Sequence, residues 1–177
     1  SRGCKRCYAI DIVAGLARKF RGKPQGEFYG SLIRDTPHGP EWSGVAKLHP
    51  ERVRLPLSWR RPRRIFVNSL SDLFHHSLSD DDIVRVMGVM GAAHWHTFQL
   101  LTKRPQRAHA LFRDANFVAR VIDEAGCLNA QSKHPLSFKS HPAIVSGRGL
   151  GWPLPNVWLG TSVENQSAAD TRIPLLV

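Results

Sequence analysis

The chain predicts an α/β fold built on parallel strands, with the sheet open or curled into a partial barrel. Two observations carry this expectation. Short apolar runs rich in β-formers alternate with stretches of helical period, and each run breaks off into a compact polar cluster. Strand–helix–strand order with continuous greasy strands is the mark of a parallel sheet whose crossovers are helices. At 177 residues, 42% hydrophobic and 22% charged, the chain has enough length and apolar content for one domain with its own core. No run approaches the roughly 20 apolar residues that span a bilayer, so no membrane partner is expected.

The elements follow in order. Ala9, Ile12, Val13, Leu16 and Phe20 recur at helical spacing and predict a first helix, opened by the loop that holds Cys4 and Cys7. Residues 21–62 are rich in Gly, Pro and charge and predict an irregular surface segment, with short turns or strands around Trp42-Ser43-Gly44. Arg64-Ile65-Phe66-Val67-Asn68-Ser69 arrives after a proline and predicts a short buried strand. Ser79 then opens a helix. Asp80, Asp81 and Asp82 fill its first turn, where the dipole favours carboxylates, and Asp82 takes the capping-box position. Ile83, Val86, Met87 and Met90 form its inward stripe, which makes the methionines core residues.

Thr97-Phe98-Gln99-Leu100-Leu101 predicts the next strand, and Pro105 suits the first turn of the helix after it, with Ala108, Leu111, Phe112 and Ala115 on one face. Residues 123–155 hold Gly, Ser, His and Pro and predict a long irregular segment, an inserted loop or a disordered excursion. Asn156-Val157-Trp158-Leu159-Gly160-Thr161-Ser162 predicts the last strand, and Gln166 begins a further helix.

In parallel α/β folds, ligands bind beyond the carboxyl ends of the strands. That rule selects Asn68, Ser69, Ser71 and Asp72 after the first strand. It selects Thr102, Lys103 and Arg104 after the second, and Thr161, Ser162, Glu164 and Asn165 after the third. Each has a bland counterpart. Ser69, Ser71 and Asp72 are also good helix caps and turn formers, and Glu164 is placed to pair with Lys103 or Arg104 as a structural bridge. Two cations at a strand's mouth would suit a carboxylate or phosphate. His75, His76, His94 and His96 lack a further ligand at metal spacing, so surface or capping roles are the better reading.

Cys4 and Cys7, two residues apart, form a turn that can aim both sulfurs at one metal or cluster. A structural zinc knuckle, a redox dithiol and a three-thiolate iron–sulfur site compete here, beside plain structural thiols. Three cysteines exclude a secreted disulfide framework and favour a reducing cytoplasm. Cys127 receives no role. The net charge of +11, with Arg60, Arg61, Arg63 and Arg64 around Pro62, admits a nucleic-acid partner; a solvated basic loop is the competing account.

Four blocks carry a family resemblance. They are Ser1-Arg2-Gly3-Cys4-Lys5-Arg6-Cys7-Tyr8-Ala9; Arg63 through Val67-Asn68-Ser69-Leu70-Ser71-Asp72 to His75; His96-Thr97-Phe98-Gln99-Leu100-Leu101-Thr102-Lys103-Arg104-Pro105; and Trp152 through Asn156 to Gln166. Together they resemble the phage gp-thirty-seven/gp-sixty-eight family, also called three-Cys-motif proteins, whose cysteine pattern resembles that of radical S-adenosylmethionine enzymes. The resemblance implies a partial βα barrel, TIM-barrel-like, carrying a [4Fe-4S] cluster and S-adenosylmethionine, whose reductive cleavage yields a 5′-deoxyadenosyl radical. It implies Cys4 and Cys7 as cluster ligands and Tyr8 near the adenine. Asn68, Ser69, Asp72, Thr102, Lys103, Ser162 and Glu164 are assigned to the cofactor mouth by the strand-end rule. The family motif has a further cysteine before the position of Ser1 and the family continues past the carboxyl end, so a single α/β domain truncated at both ends is expected. The substrate is not implied.

Overall fold

A computed structural model describes residues 7–130 and 151–176. At its centre is a three-stranded sheet of β3 (Arg64–Val67), β4 (Thr97–Thr102) and β5 (Val157–Thr161), in spatial order β3-β4-β5 with both pairings parallel. The strands alternate in register. Ile65, Phe98 and Val157 lie in one row on one face, followed by Val67, Leu100 and Leu159. This face meets α5 (Asp80–Ala92), α6 (Pro105–Arg113) and α7 (Ala115–Ala130) in a core that includes Phe74, Ile83, Met87, Met90, Phe117 and Val121. Phe74, Phe98 and Phe117 are fully buried, each contributing about 1.5–3 kcal/mol by leaving water.

The helices start where the sequence places them. Ser79 caps α5 by accepting from Asp82 N, and the Asp82 carboxylate accepts in return from Ser79 N, closing the expected capping box. Pro105 stands in the first turn of α6. Met87 and Met90 are core, as expected. At the far end of α5, the Asn156 side-chain amide donates to Met90 O and His96 O, tying the entry of β5 to the α5–β4 turn.

Three local expectations are corrected. Residues 21–62 are ordered rather than irregular. They form α2 (Pro24–Gly30), a hairpin of β1 (Ile33–Thr36) and β2 (Gly39–Trp42), and two single-turn helices, α3 (Pro50–Val53) and α4 (Leu55–Ser58). Their prolines open helices: Pro24, Pro50 and Pro56 all stand at first-turn positions, where the missing N–H costs nothing. The stretch expected to be an inserted loop from 123 begins instead as helix, since α7 runs on to Ala130; residues 131–150 lie outside the described residues. Phe117, Val121, Ala125 and Leu128 give α7 a buried stripe, and Asp114 accepts from Asn116 N at its start. Cys127 is therefore an exposed helical residue, not part of a loop. In α1 (Tyr8–Lys19) the buried side chains are Ala9, Ile10, Val13 and Ala14, while Ile12 points outward.

α1 packs against α2 and the β1–β2 hairpin. This layer meets the main body at Ser77, whose hydroxyl accepts from Ala46 N and donates to Ala46 O. Ser77 lies in the loop leaving the carboxyl end of β3, so the amino-terminal layer joins the body on that side. α5 and α7 cross at Gly88, where a Cβ would fall 2.4 Å from Glu124 Cγ.

Candidate functional site

The three strand ends selected from the sequence come together on one rim. The chain leaves β3 through Asn68, whose φ of 61° is left-handed; asparagine tolerates this better than other side chains. Asp72 follows and reaches across to the end of β4. Its Oδ1 accepts from Phe74 N at 3.0 Å and from the Thr102 hydroxyl at 2.8 Å. Its Oδ2 accepts from Lys103 N at 2.9 Å and from Arg104 Nη1 at 3.0 Å. Thr102 is fully buried and also accepts from Arg104 N. Asp72 and Thr102 thus hold the β3 and β4 exits together, and their polar atoms are engaged within the chain.

Glu164 brings in the third strand. It pairs with Lys103 Nζ at 3.5 Å and with Arg172 Nη1 at 2.7 Å, and Arg172 Nη1 also donates to Ser162 O. This is the bridge that the sequence offers as the bland account of Glu164. Arg172 comes from α8 (Gln166–Arg172), capped by Asn165 through Ala168 N, and it carries no strand-end signal in the sequence. Ser162 N and the Thr161 hydroxyl both donate to Thr102 O, closing the β4–β5 side.

The side chains of Asn68, Ser69, Ser71 and Ser162 form no hydrogen bond among the described residues and stand beside this clamped rim, Ser69 and Ser71 exposed and the other two half-buried. They are the rim groups left available to a ligand. His75 and His76 adjoin it, their rings 4.2 Å apart. Burial, then the Arg104 guanidinium and the His76 ring, hold His75 below its ordinary 6.5.

Cys4 lies outside the described residues. Cys7 is a half-buried free thiol immediately before α1, and Tyr8 beside it is 65% exposed. Among the described residues no group of three His, Cys, Asp or Glu is placed to hold a metal. Cys7 fits an iron–sulfur ligand in type, a thiol outside any disulfide, while the described donors do not complete a cluster's set.

The other end of the sheet is built differently. His96, expected in a surface or capping role, is buried and bonds backbone groups. Its Nδ1 accepts from Arg63 N at 3.1 Å, which leaves Nε2 to carry the proton and donate to Pro56 O at 3.0 Å. Burial is the main cause that lowers its pKa; the Pro56 carbonyl pulls the other way and Arg63 adds to the lowering. Trp95 Nε1 donates to Trp59 O, and the Arg63 guanidinium lies 4.6 Å from the Trp59 ring centre. These contacts pin the segment that carries Arg60, Arg61, Arg63 and Arg64, all four exposed. Among the described residues none of them pairs with a carboxylate.

A cleft of about 570 Å³ opens between the segment around Lys47–Arg54, α5 and α7, and none of the predicted site residues lines it. No helix among the described residues is long and apolar enough to cross a membrane.

Fold and rim together define an α/β protein whose parallel sheet is packed on one face by α5, α6 and α7 and carries a cross-linked polar rim at the strand exits. The chain belongs to the family described as Protein of unknown function (DUF5131), whose model matches residues 1–177. No curated protein and no solved structure matches it.

Proposed function

We propose that the chain works as a radical S-adenosylmethionine-like iron–sulfur enzyme of partial βα-barrel architecture. The observation that supports this reading most is the one-sided covering of a sequentially ordered parallel sheet. In a doubly wound sheet, helices cover both faces; in a βα barrel they cover only the outside, and the ligand sits at the rim where the strands end. Here α5, α6 and α7 pack on the Ile65–Phe98–Val157 face, and the opposite face carries exposed side chains. Asn68, Ser69 and Ser162 would contact the cofactor at the rim, with Lys103 and Glu164 as the charged pair beside them. Asp72 and Thr102 act by fixing the rim's shape. Cys4 and Cys7 would hold the [4Fe-4S] cluster, which with S-adenosylmethionine supplies one-electron reductive chemistry when bound.

Anaerobic reconstitution with iron and sulfide tests the reading. A cluster absorbance with an electron paramagnetic resonance signal on reduction is expected, lost in Cys4→Ala and Cys7→Ala. Tight zinc binding with no cluster sinks it.

A second reading, a nucleic-acid-binding protein with the thiols in a structural metal knuckle, is favoured by the exposed arginines at 60, 61, 63 and 64, which meet no carboxylate among the described residues. It expects affinity for nucleic acid that falls steeply with salt. Charge reversal at the four arginines with no change in affinity would remove its basis.

A further inference from the structure

The face of the sheet turned away from α5, α6 and α7 carries large exposed apolar side chains among the described residues. Phe66 is 48% exposed, Leu101 42% and Trp158 54%. The register puts Phe66, Gln99 and Trp158 in one row across all three strands. The two aromatic rings therefore stand on the two edge strands, roughly 10 Å apart by two strand spacings, with the Gln99 amide between them. That amide forms no hydrogen bond among the described residues. It offers both a donor and an acceptor. One row up, Leu101 lies over Gly160, where a Cβ would come within 2.8 Å of Leu101 Cδ2. At the lower end of the same face stands Arg64, exposed and two residues before Phe66, and Arg60, Arg61 and Arg63 precede it.

We infer that this open face is a stacking platform for single-stranded nucleic acid, with Phe66 and Trp158 under the bases, Gln99 toward a base edge and the Arg60–Arg64 segment on the phosphates. Exposed aromatics on a sheet, flanked by basic side chains, supply both terms of single-strand binding: ring stacking, which every base can satisfy, and phosphate neutralisation. The occupant follows from charge complementarity. A covering protein layer would call for a continuous apolar patch, whereas Arg64, Thr97 and Gln99 interrupt this one, on a chain of net charge +11. A duplex keeps its bases stacked on each other and offers the rings nothing. The inference rests on the second reading above for its polyanion and adds the surface and the single-stranded form.

Fluorescence anisotropy on the full chain tests it, using labelled single-stranded DNA and RNA of about 12 nucleotides and a duplex of the same sequence. The single strands are expected to bind at least about tenfold tighter than the duplex. Phe66→Ala and Trp158→Ala should each weaken single-strand binding by about 5- to 100-fold while leaving the slope of affinity against salt unchanged. Trp158→Phe should retain most of the affinity, which separates stacking from damage to the fold. Arg60→Ala with Arg61→Ala should flatten the salt slope instead. Salt-dependent binding indifferent to both aromatic substitutions overturns the platform and leaves the basic segment standing; no binding to any oligonucleotide overturns both. Equal affinity for duplex overturns the platform, as does self-association that the two alanine variants abolish without touching oligonucleotide affinity. Binding of free adenosine without oligonucleotide binding also counts against it.

Discussion

The two ends of the central sheet handle charge in opposite ways. At the carboxyl end, Asp72 and Glu164 draw in Lys103, Arg104 and Arg172, so that each cation meets a carboxylate and the strand exits are locked together. At the amino end, the anchoring is done by neutral groups, His96 and Trp95, and the four nearby arginines face solvent with no carboxylate partner among the described residues. The rule that places ligands at strand exits therefore selects the end where charge is internally compensated. Uncompensated positive charge, the kind a polyanion requires, collects at the other end. A rim stiffened by its own ion pairs suits a small ligand held by uncharged groups; a rim of loose cations suits a long anion held by many weak contacts.

The largest expected effect tests whether the carboxyl rim is a lock. Asp72→Ala leaves the buried Thr102 hydroxyl, two backbone N–H groups and Arg104 without their acceptor, a loss of about 3 kcal/mol. Urea unfolding reads this directly. Asp72→Asn, which keeps one acceptor oxygen, should lose less, and equal stability of Asp72→Ala with the parent would mean the rim is not held by this carboxylate.

Next in size is the pH response of two histidines, His96 at the amino end and His75 beside the carboxyl rim. His96 and His75 both have pKa values below 6.5 in the folded chain, so the unfolded chain takes up protons more readily. Stability is then complete above pH 6.5 and declines as pH falls below it toward the folded-state values. For His96 the structural event is specific, since protonating Nδ1 ejects the Arg63 N–H. The urea midpoint should drop between about pH 7.5 and about pH 5, and a smaller drop in His96→Gln would assign part of it to this ring. A midpoint that is flat over that range rejects the account.

The smallest effect sharpens the contrast. Arg60→Ala with Arg61→Ala should change stability by no more than about 0.5 kcal/mol, as for surface residues without partners. A large loss would show that these arginines are structural after all, like their counterparts on the opposite rim.

Much of this architecture is legible in the sequence for local reasons. Strand runs at 64–67, 97–102 and 157–161 and the Ser79–Asp82 cap each depend on neighbours along the chain. α7 was hidden because Gly126 and Asn129 sit in its last turns and look like loop residues, although the Phe117–Val121–Ala125–Leu128 stripe was available to be counted. The hairpin and α2 were hidden because their prolines and glycines read as breakers, when several of them serve as starters and a turn. At the rim, Asp72, Lys103 and Glu164 were found by position alone, but which of them are consumed by the fold depends on pairings 31 residues apart and more. Arg172 and the Phe66–Trp158 face were missed for the same reason. A greasy strand looks doubly buried in sequence, and only the placement of the helices shows which face is left open.

Gly88 sets a gauge for that open face. At its crossing with α7 a hydrogen stands where any other residue would put a carbon, so the two helices touch backbone against side-chain stem. Partners seated so closely leave no room at Gly88 for a larger residue, so α5 and α7 hold their spacing there. Phe66 and Trp158 ride the outer strands of the sheet that α5 and α7 cover, two strand spacings apart, and whatever bridges the two rings has to match that stride.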